Sequence, residues 1–140
     1  MKRSKILAAM ACILSLAFFS SFKAAKKLPG EYGQWKESSC YKGIDFRVKC
    51  AEYNEYAKKY TWYVQIRNRY QASVHLDLNL APASNPSDKE VAGRMDIAGG
   101  STANSAYYLV AAGPNQEVEV YIDRVRIGVD DASPYYHCDR

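Results

Sequence analysis

After residue 42, apolar and polar residues alternate along the chain with a period of two. Successive side chains of a strand point to opposite faces of its sheet, so this period predicts strands that bury one face and expose the other. We predict strands in the segments that share this alternation: 44–50, 61–69, 74–80, 90–97, 105–111 and 118–127. The phase changes within the last segment, at Asp123-Arg124, which indicates a β-bulge or a bend between two short strands.

Turns separate these segments about every eight to twelve residues, a spacing typical of β-sandwiches and small barrels. No segment of the predicted domain shows the period of an amphipathic helix. The sequence therefore predicts an all-β domain over residues 40–140. We expect a single small antiparallel β-sandwich of six to seven strands, with Trp62 in its core.

Segments 61–69 and 74–80 are predicted to form a hairpin around Tyr70-Gln71-Ala72, because a register in which paired residue numbers sum to 142 keeps their apolar faces together. That register places Val64 opposite Leu78 on the buried face. It also predicts one continuous outer face made of three polar pairs: Tyr63 with Asn79, Gln65 with Asp77, and Arg67 with His75.

Two segments resemble parts of known domains: Met95-Asp-Ile-Ala-Gly-Gly-Ser101 as a turn-bearing segment and Trp62-Tyr-Val-Gln-Ile-Arg-Asn68 as a central strand. Over about residues 40–138, the chain resembles immunoglobulin- and fibronectin-like modules of bacterial exported proteins. The resemblance implies the sandwich architecture and assigns neither an activity nor a functional residue.

The first 22 residues have a basic start, Met1 to Lys5, followed by an apolar run from Ile6 to Phe22. This order is typical of an export signal. We predict an apolar signal helix over residues 1–24, cleaved near Ala24, and a spacer over residues 25–39. The expected location is the periplasm or the extracellular space. Two alternatives stay open: the segment is retained as an outward-facing membrane anchor, or Cys12 is lipidated.

The chain has 19 Lys and Arg against 15 Asp and Glu, a formal net charge of +4. The excess lies in the predicted signal, which holds Lys2, Arg3, Lys5 and Lys23 and no acidic residue. The remaining residues are therefore neutral overall. Because a nucleic-acid partner requires an excess of cations to neutralise phosphates, we expect no nucleic-acid partner.

Cleavage would leave Cys40, Cys50 and Cys138, and an exported domain can keep a disulfide. Ten extended residues separate Cys40 from Cys50, so that pair needs a turn that the sequence does not place well. We predict a Cys40–Cys138 disulfide joining the two ends of the domain. Cys50 shares the inward phase of its strand and is expected to be a buried thiol, with an intermolecular disulfide as the alternative.

The sequence contains no catalytic motif, and we predict that the protein is not an enzyme. His75 and Asp77 share one strand face, yet two side chains do not make a metal or acid–base site. No Cys-x-x-Cys or other spacing typical of a zinc site or a redox motif is present in the sequence. We therefore expect no metal and no cofactor.

Tyrosine is the strongest surface signal, with 12 in the chain and several between residues 53 and 63. A phenol combines a large apolar ring with a polar tip, which suits the recognition of protein or sugar surfaces. We predict a non-enzymatic envelope or secreted module that binds an unidentified protein or glycan. The alternatives are a membrane-tethered structural envelope component and a small secreted enzyme or enzyme inhibitor. The membrane is a partner only if the signal is retained. The candidate binding residues lie either on the outer face predicted for the hairpin or in the tyrosine-rich segment before it: Tyr53, Tyr56, Tyr63, Gln65, Arg67, His75 and Asp77.

Overall fold

The computed structural model describes residues 30–128 and 134–137, without the side chains of residues 91 and 92. The predicted signal, the first part of the spacer and Cys138 lie outside the described residues. No helix in the described ranges has the length and apolar character needed to cross a membrane.

The described residues form two four-stranded antiparallel sheets and no helix, which confirms the all-β prediction. The first sheet has the order β1-β2-β3-β6, and the second has the order β5-β4-β7-β8. The strands are β1 (Lys36–Glu37), β2 (Ile44–Asn54), β3 (Lys59–Asn68), β4 (Val74–Pro82), β5 (Glu90–Ile97), β6 (Thr102–Val110), β7 (Val118–Ile127) and β8 (Tyr136–His137).

The apolar faces of both sheets share one hydrophobic core, because the alternating residues of each long strand point the same way. Trp62 is buried at its centre, as predicted, and its indole Nε1 donates a hydrogen bond to the carbonyl of Ala112 at 2.8 Å. That bond satisfies the indole group, which would otherwise be costly to bury. Cys50 carries a buried thiol in the same core, in agreement with its inward phase.

The predicted break in the last long strand is a β-bulge at Asp123. Asp77 pairs with Arg124, whereas the next residue, Leu78, pairs with Ile122, so Asp123 is the extra residue on β7. The bulge lets β7 stay one strand while its apolar phase reverses.

The predicted hairpin of segments 61–69 and 74–80 is wrong. Val64 pairs with Val48 of β2, whereas Leu78 pairs with Ile122 of β7. The intervening residues carry the chain from one sheet to the other. Both strands bury one face in the same core, so their alternation is equally compatible with a hairpin and with a crossing.

Asn68 holds this crossing in place from a buried position. Its Nδ2 donates to the carbonyls of Ala72, Ile97 and Ala98 at 2.9 to 3.1 Å, and its Oδ1 accepts the N–H of Tyr70 at 2.9 Å. One amide thus satisfies backbone groups from two loops that the core would otherwise leave unpaired. Gly99 lies in the second loop, where a Cβ would come within 1.9 Å of the Gln71 carbonyl oxygen.

Part of the predicted spacer belongs to the folded domain. The N–H groups of Gly30 and Gly33 donate to the carbonyls of Cys50 and Val48 at 2.7 and 2.9 Å. β1 continues this antiparallel pairing along β2, and residues 30–37 therefore line the edge of the first sheet.

Candidate functional site

The outward side chains of the first sheet form one connected surface, joined by two rings from the segment before β1. We call this surface the cationic face. It comprises Tyr32, Trp35, Arg47, Lys49, Tyr63, Gln65, Arg67, Asn104 and Tyr107. The structure therefore places Tyr63, Gln65 and Arg67 of the predicted site on one face, as consecutive outward residues of β3.

Aromatic rings and cations alternate across this face. The Arg47 guanidinium lies 5.0 Å from the Tyr32 ring centroid and 4.5 Å from that of Trp35. Arg67 lies 4.6 Å from the Trp35 ring. Trp35 thus contacts two guanidinium groups, an arrangement in which the ring quadrupole offsets part of the repulsion between them.

Lys49 extends the same arrangement towards β6. Its ammonium lies 4.9 Å from the Tyr32 ring and 5.0 Å from the Tyr63 ring. Tyr63 pairs across the sheet with Tyr107, whose side chain is 61% exposed. Partial burial raises the pKa of Tyr32, with the positive charge of Arg47 lowering it and Tyr63 raising it further. Tyr32 is therefore a neutral phenol beside two cations near pH 7.

A chain of side-chain hydrogen bonds orders the centre of the face. Arg47 Nε donates to Gln65 Oε1 at 2.7 Å, and Gln65 Nε2 donates to Asn104 Oδ1 at 2.8 Å. This chain runs across β2, β3 and β6. It fixes the amide and guanidinium groups on rigid strands, which limits the entropy that a ligand would have to remove on binding.

Charge is unevenly balanced on this face. Asp45 accepts from Arg67 Nε and Nη2 at 2.9 and 2.7 Å and lies 3.1 Å from Arg69 Nε. In contrast, neither Arg47 nor Lys49 forms an ion pair with any described residue. The carboxylates of the face thus compensate the cations at its Asp45 end and leave Arg47 and Lys49 uncompensated.

His75 and Asp77 lie on the outer face of the second sheet, on the opposite side of the core from the cationic face. The continuous face predicted from the hairpin is therefore wrong, since the chain crosses between sheets after Asn68. His75 Nδ1 lies 2.5 Å from Asp96 Oδ1. Asp77 accepts from Arg124 Nε at 2.6 Å and lies 3.4 Å from Arg94 Nε, so its charge is compensated locally.

The second outer face is also covered in part by the C-terminal segment. The Tyr135 ring lies 5.1 to 5.9 Å from the guanidinium carbons of Arg94, Arg124 and Arg126. Within residues 30–128 and 134–137, no three His, Cys, Asp or Glu side chains are grouped to hold a metal ion. Asp77 is thus paired with neighbouring side chains, and His75 contacts Asp96 through Nδ1, while His75 Nε2 is buried without a hydrogen-bond partner among the described residues.

Tyr53 and Tyr56 lie at the β2–β3 turn, away from the cationic face. The Tyr53 ring meets the Tyr60 ring edge-on with centroids 5.0 Å apart, and Tyr60 packs against the core. Tyr56 is fully exposed at the tip of the turn. Asn54 Oδ1 shapes this turn by accepting the N–H groups of Tyr56 and Ala57 at 3.1 and 2.9 Å. The tyrosine-rich segment is thus divided between different surfaces.

A groove of about 260 Å³ lies between β1 and the start of β7. Phe46 and Val120 contribute to its lining, and Lys36 Nζ donates to Glu117 Oε1 across it at 2.8 Å. None of the candidate binding residues lines this groove. It is therefore separate from the cationic face.

Cys40 lies beside Tyr41, whose hydroxyl donates to the carbonyl of Tyr136 at 2.8 Å. This contact joins the residue that follows Cys40 to Tyr136, which is two residues before Cys138 in the chain. Cys138 lies outside the described residues, and the Cys40–Cys138 disulfide remains a prediction.

Sequence reasoning missed several members of the cationic face. The sequence contains enough information to place Arg47 and Lys49 on this face, since they share the outward phase of β2 with Asp45. The sequence does not indicate that Asn104 and Tyr107 share a face, because they are three residues apart. A register shift in β6 places both on the outer face. In contrast, the sequence does predict that Tyr32 and Trp35 dock on the domain, and their rings contact Arg47 and Lys49 of β2.

No known protein family, curated protein or solved structure matches this chain.

Proposed function

We propose that this protein is an exported, non-enzymatic binding module that recognises a partner in the cell envelope through its cationic face. It works without metal or cofactor, and the predicted signal directs it to the periplasm or the extracellular space. The binding residues Tyr63, Gln65 and Arg67 act together with the neighbouring rings and cations. Tyr53, Tyr56, His75 and Asp77 are not required for this activity.

One observation carries the proposal: Arg47 and Lys49 share the Tyr32 ring and lack carboxylate partners among the described residues. Holding two cations near each other without a counter-charge is unfavourable unless a ligand or solvent ions compensate them. On the second outer face, by contrast, Arg94 and Arg124 share the carboxylate of Asp77. Of the two faces, the first is therefore better prepared for an external ligand.

The experiment is affinity recovery from an envelope extract with immobilised protein. A Tyr63→Ala/Tyr107→Ala variant removes rings from the cationic face, and a Tyr53→Ala/Tyr56→Ala variant removes two rings from the β2–β3 turn. Species that free wild-type protein displaces are identified by mass spectrometry or by sugar analysis. We expect the first variant to lose them and the second to retain them.

An Arg94→Ala variant serves as the control for the second sheet, and its recovery should match that of the wild type. Urea unfolding of every variant establishes that the domain is folded under the assay conditions. Loss of recovery in the Tyr53→Ala/Tyr56→Ala variant alone would assign binding to the turn and overturn the proposal.

The strand arrangement supports an immunoglobulin-like architecture for this module. If β2, β3, β4, β6, β7 and β8 are taken as strands A, B, C, E, F and G, then A, B and E share one sheet and C, F and G share the other. This distribution is that of immunoglobulin-type sandwiches. Strand β5 pairs with β4 rather than with β6, which corresponds to strand C′ rather than to strand D.

A membrane-tethered envelope component is the second candidate function. It is favoured by the attachment of Gly30 to β2, which leaves only residues 25–29 between the predicted signal and the folded domain. If the signal is retained, the domain therefore lies close to the membrane surface. Intact mass of the native protein tests this: a mature chain that starts near Ala25 excludes the tether.

A further inference from the structure

We infer that the ligand of the cationic face is an acidic polysaccharide, a sugar chain that carries carboxylate groups. The inference rests on the proposed function and specifies the chemistry of its partner. Three features of the face carry it: the uncompensated cations of β2, the exposed ring on β6, and the lack of available backbone groups on the central strand.

The cations supply recognition of carboxylates. Arg47 and Lys49 are separated by one residue on β2 and point to the same side, about 7 Å apart along the strand. Arg47 uses Nε for Gln65, and its terminal nitrogens make no hydrogen bond to the described residues. Guanidinium and ammonium groups of this kind form charge-assisted hydrogen bonds with carboxylates.

The aromatic and amide side chains supply recognition of the sugar. Tyr107 and Tyr63 lie side by side on neighbouring strands, and an exposed phenol ring offers a flat apolar surface on which the C–H face of a sugar ring can pack. Gln65 and Asn104 lie next to them in the adjoining cross-strand row and can exchange hydrogen bonds with sugar hydroxyls. An extended glycan laid across the strands would meet Lys49, Tyr63 and Tyr107 in one row. The adjoining row holds Arg47, Gln65 and Asn104.

The backbone argues for a glycan over an acidic peptide. Extended peptides commonly bind by adding a strand to a sheet edge, where main-chain groups are available. β3, at the centre of the face, is paired with β2 on one side and β6 on the other. Its backbone is therefore occupied, and a ligand laid over β2 and β3, where Arg47, Lys49 and Tyr63 lie, can use only side chains there. That suits a glycan, which needs no main-chain partner.

The test measures binding of three polymers by calorimetry at low and moderate salt: polygalacturonate, neutral dextran and poly-L-glutamate. We expect polygalacturonate to bind with an affinity that falls as the salt concentration rises, and dextran not to bind. Poly-L-glutamate should bind at least about tenfold more weakly than polygalacturonate. An Arg47→Gln/Lys49→Gln variant should lose polygalacturonate affinity by about tenfold or more, because each charge-assisted bond contributes strongly.

A Lys89→Gln/Arg94→Gln variant removes the same charge from outside the cationic face and should bind as the wild type does. Tyr107→Ala should weaken polygalacturonate but leave poly-L-glutamate binding unchanged, which separates sugar packing from charge. Unfolding midpoints confirm that each variant is folded.

Equal binding of poly-L-glutamate and polygalacturonate would overturn the inference, because the face would then recognise charge alone. Absence of polygalacturonate binding, or its persistence in Arg47→Gln/Lys49→Gln, would also overturn it. If either result accompanies envelope recovery that still depends on Tyr63 and Tyr107, the proposed function stands and only its partner class is wrong.

Discussion

The guanidinium of Arg47 lies 4.5 Å from the centroid of the Trp35 ring, so a residue of β2 holds a residue of the segment that precedes β1. The contact attaches residues 30–37 by their side chains as well as by backbone hydrogen bonds. The same contact positions Arg47 on the candidate face. Attachment of this segment and formation of the cationic face are therefore linked.

Replacing Trp35 with alanine removes a ring that two guanidinium groups contact. We expect the free energy of unfolding to fall by about 1–2 kcal/mol, since each exposed cation–π pair contributes about 0.5–1 kcal/mol. The Gly33 amide should exchange faster with deuterium, because its bond to Val48 loses support. Tyr56→Ala removes a fully exposed ring and should change stability by less than about 0.5 kcal/mol. Equal effects of the two substitutions would contradict the linkage.

Replacing Asn68 with alanine should lower the free energy of unfolding by at least about 2 kcal/mol. The substitution leaves three carbonyls and one N–H without the amide that satisfies them, and each buried unsatisfied group costs about 1–3 kcal/mol. Asn115→Ala, in an exposed turn, is the matched control with little expected effect. Urea unfolding measures both variants. A small loss at Asn68 would mean that water replaces its amide.

Gly99 and Gly93 test the close approach of the two loops at the sheet crossing. A Cβ at Gly99 would overlap the Gln71 carbonyl, so Gly99→Ala requires backbone movement and should destabilise by about 2 kcal/mol or more. Apart from its chain neighbours, no described residue has an atom within 4 Å of a Cβ at Gly93, and alanine there should be neutral or stabilise by up to about 1 kcal/mol. The midpoint temperature of thermal unfolding should therefore fall for Gly99→Ala. It should stay the same or rise for Gly93→Ala.

A disulfide between Cys40 and Cys138 should appear as one linked peptide pair in a digest made without reductant. Iodoacetamide should modify Cys50 only after unfolding, because the thiol is buried. The Cys40→Ser/Cys138→Ser variant should lose about 2–4 kcal/mol, as expected for a long closed loop. A linked peptide that contains Cys50 would contradict the pairing.

Stability should fall at alkaline pH through Tyr108. Burial raises the pKa of this phenol above its ordinary value of 10.0, with a hydrogen bond involving Ser105 lowering it in part. The folded state therefore favours the neutral form. The stability that this preference contributes is fully present below about pH 10, and it is lost as the pH rises through the pKa of Tyr108 in the folded state. Tyr108→Phe should show a shallower decline in unfolding free energy above pH 10 than the wild type, measured by urea titration. Identical slopes would exclude this role.

Alternation along the chain predicted most strands and the bulge, because each long strand buries one face. It did not predict which strands are neighbours. Val64 and Leu78 have the same inward phase whether their strands pair or lie in opposite sheets, and the short connection after Asn68 fits both arrangements. Pairing is decided by tertiary contacts such as the buried Asn68 amide, whose partners are distant in sequence.

The candidate site was predicted in part for the same reason. Tyr63, Gln65 and Arg67 follow one another at a spacing of two, so their common face follows from the strand alone. The grouping with His75 and Asp77 depended on the wrong hairpin. Tyr53 was grouped with Tyr63 by proximity in sequence, although the register shift after Cys50 and its ring contact with Tyr60 direct it elsewhere.

The antiparallel attachment of residues 30–37 to β2 also has a mechanical consequence. A force that draws the N-terminal end away from the sheet acts first on the Gly30–Cys50 hydrogen bond and then on the Gly33–Val48 bond, one after the other rather than together. The segment would peel from its N-terminal end and carry Tyr32 with it while the core strands stay paired. Such a force would therefore separate the Tyr32 ring from Arg47 and Lys49 before it disrupts the core.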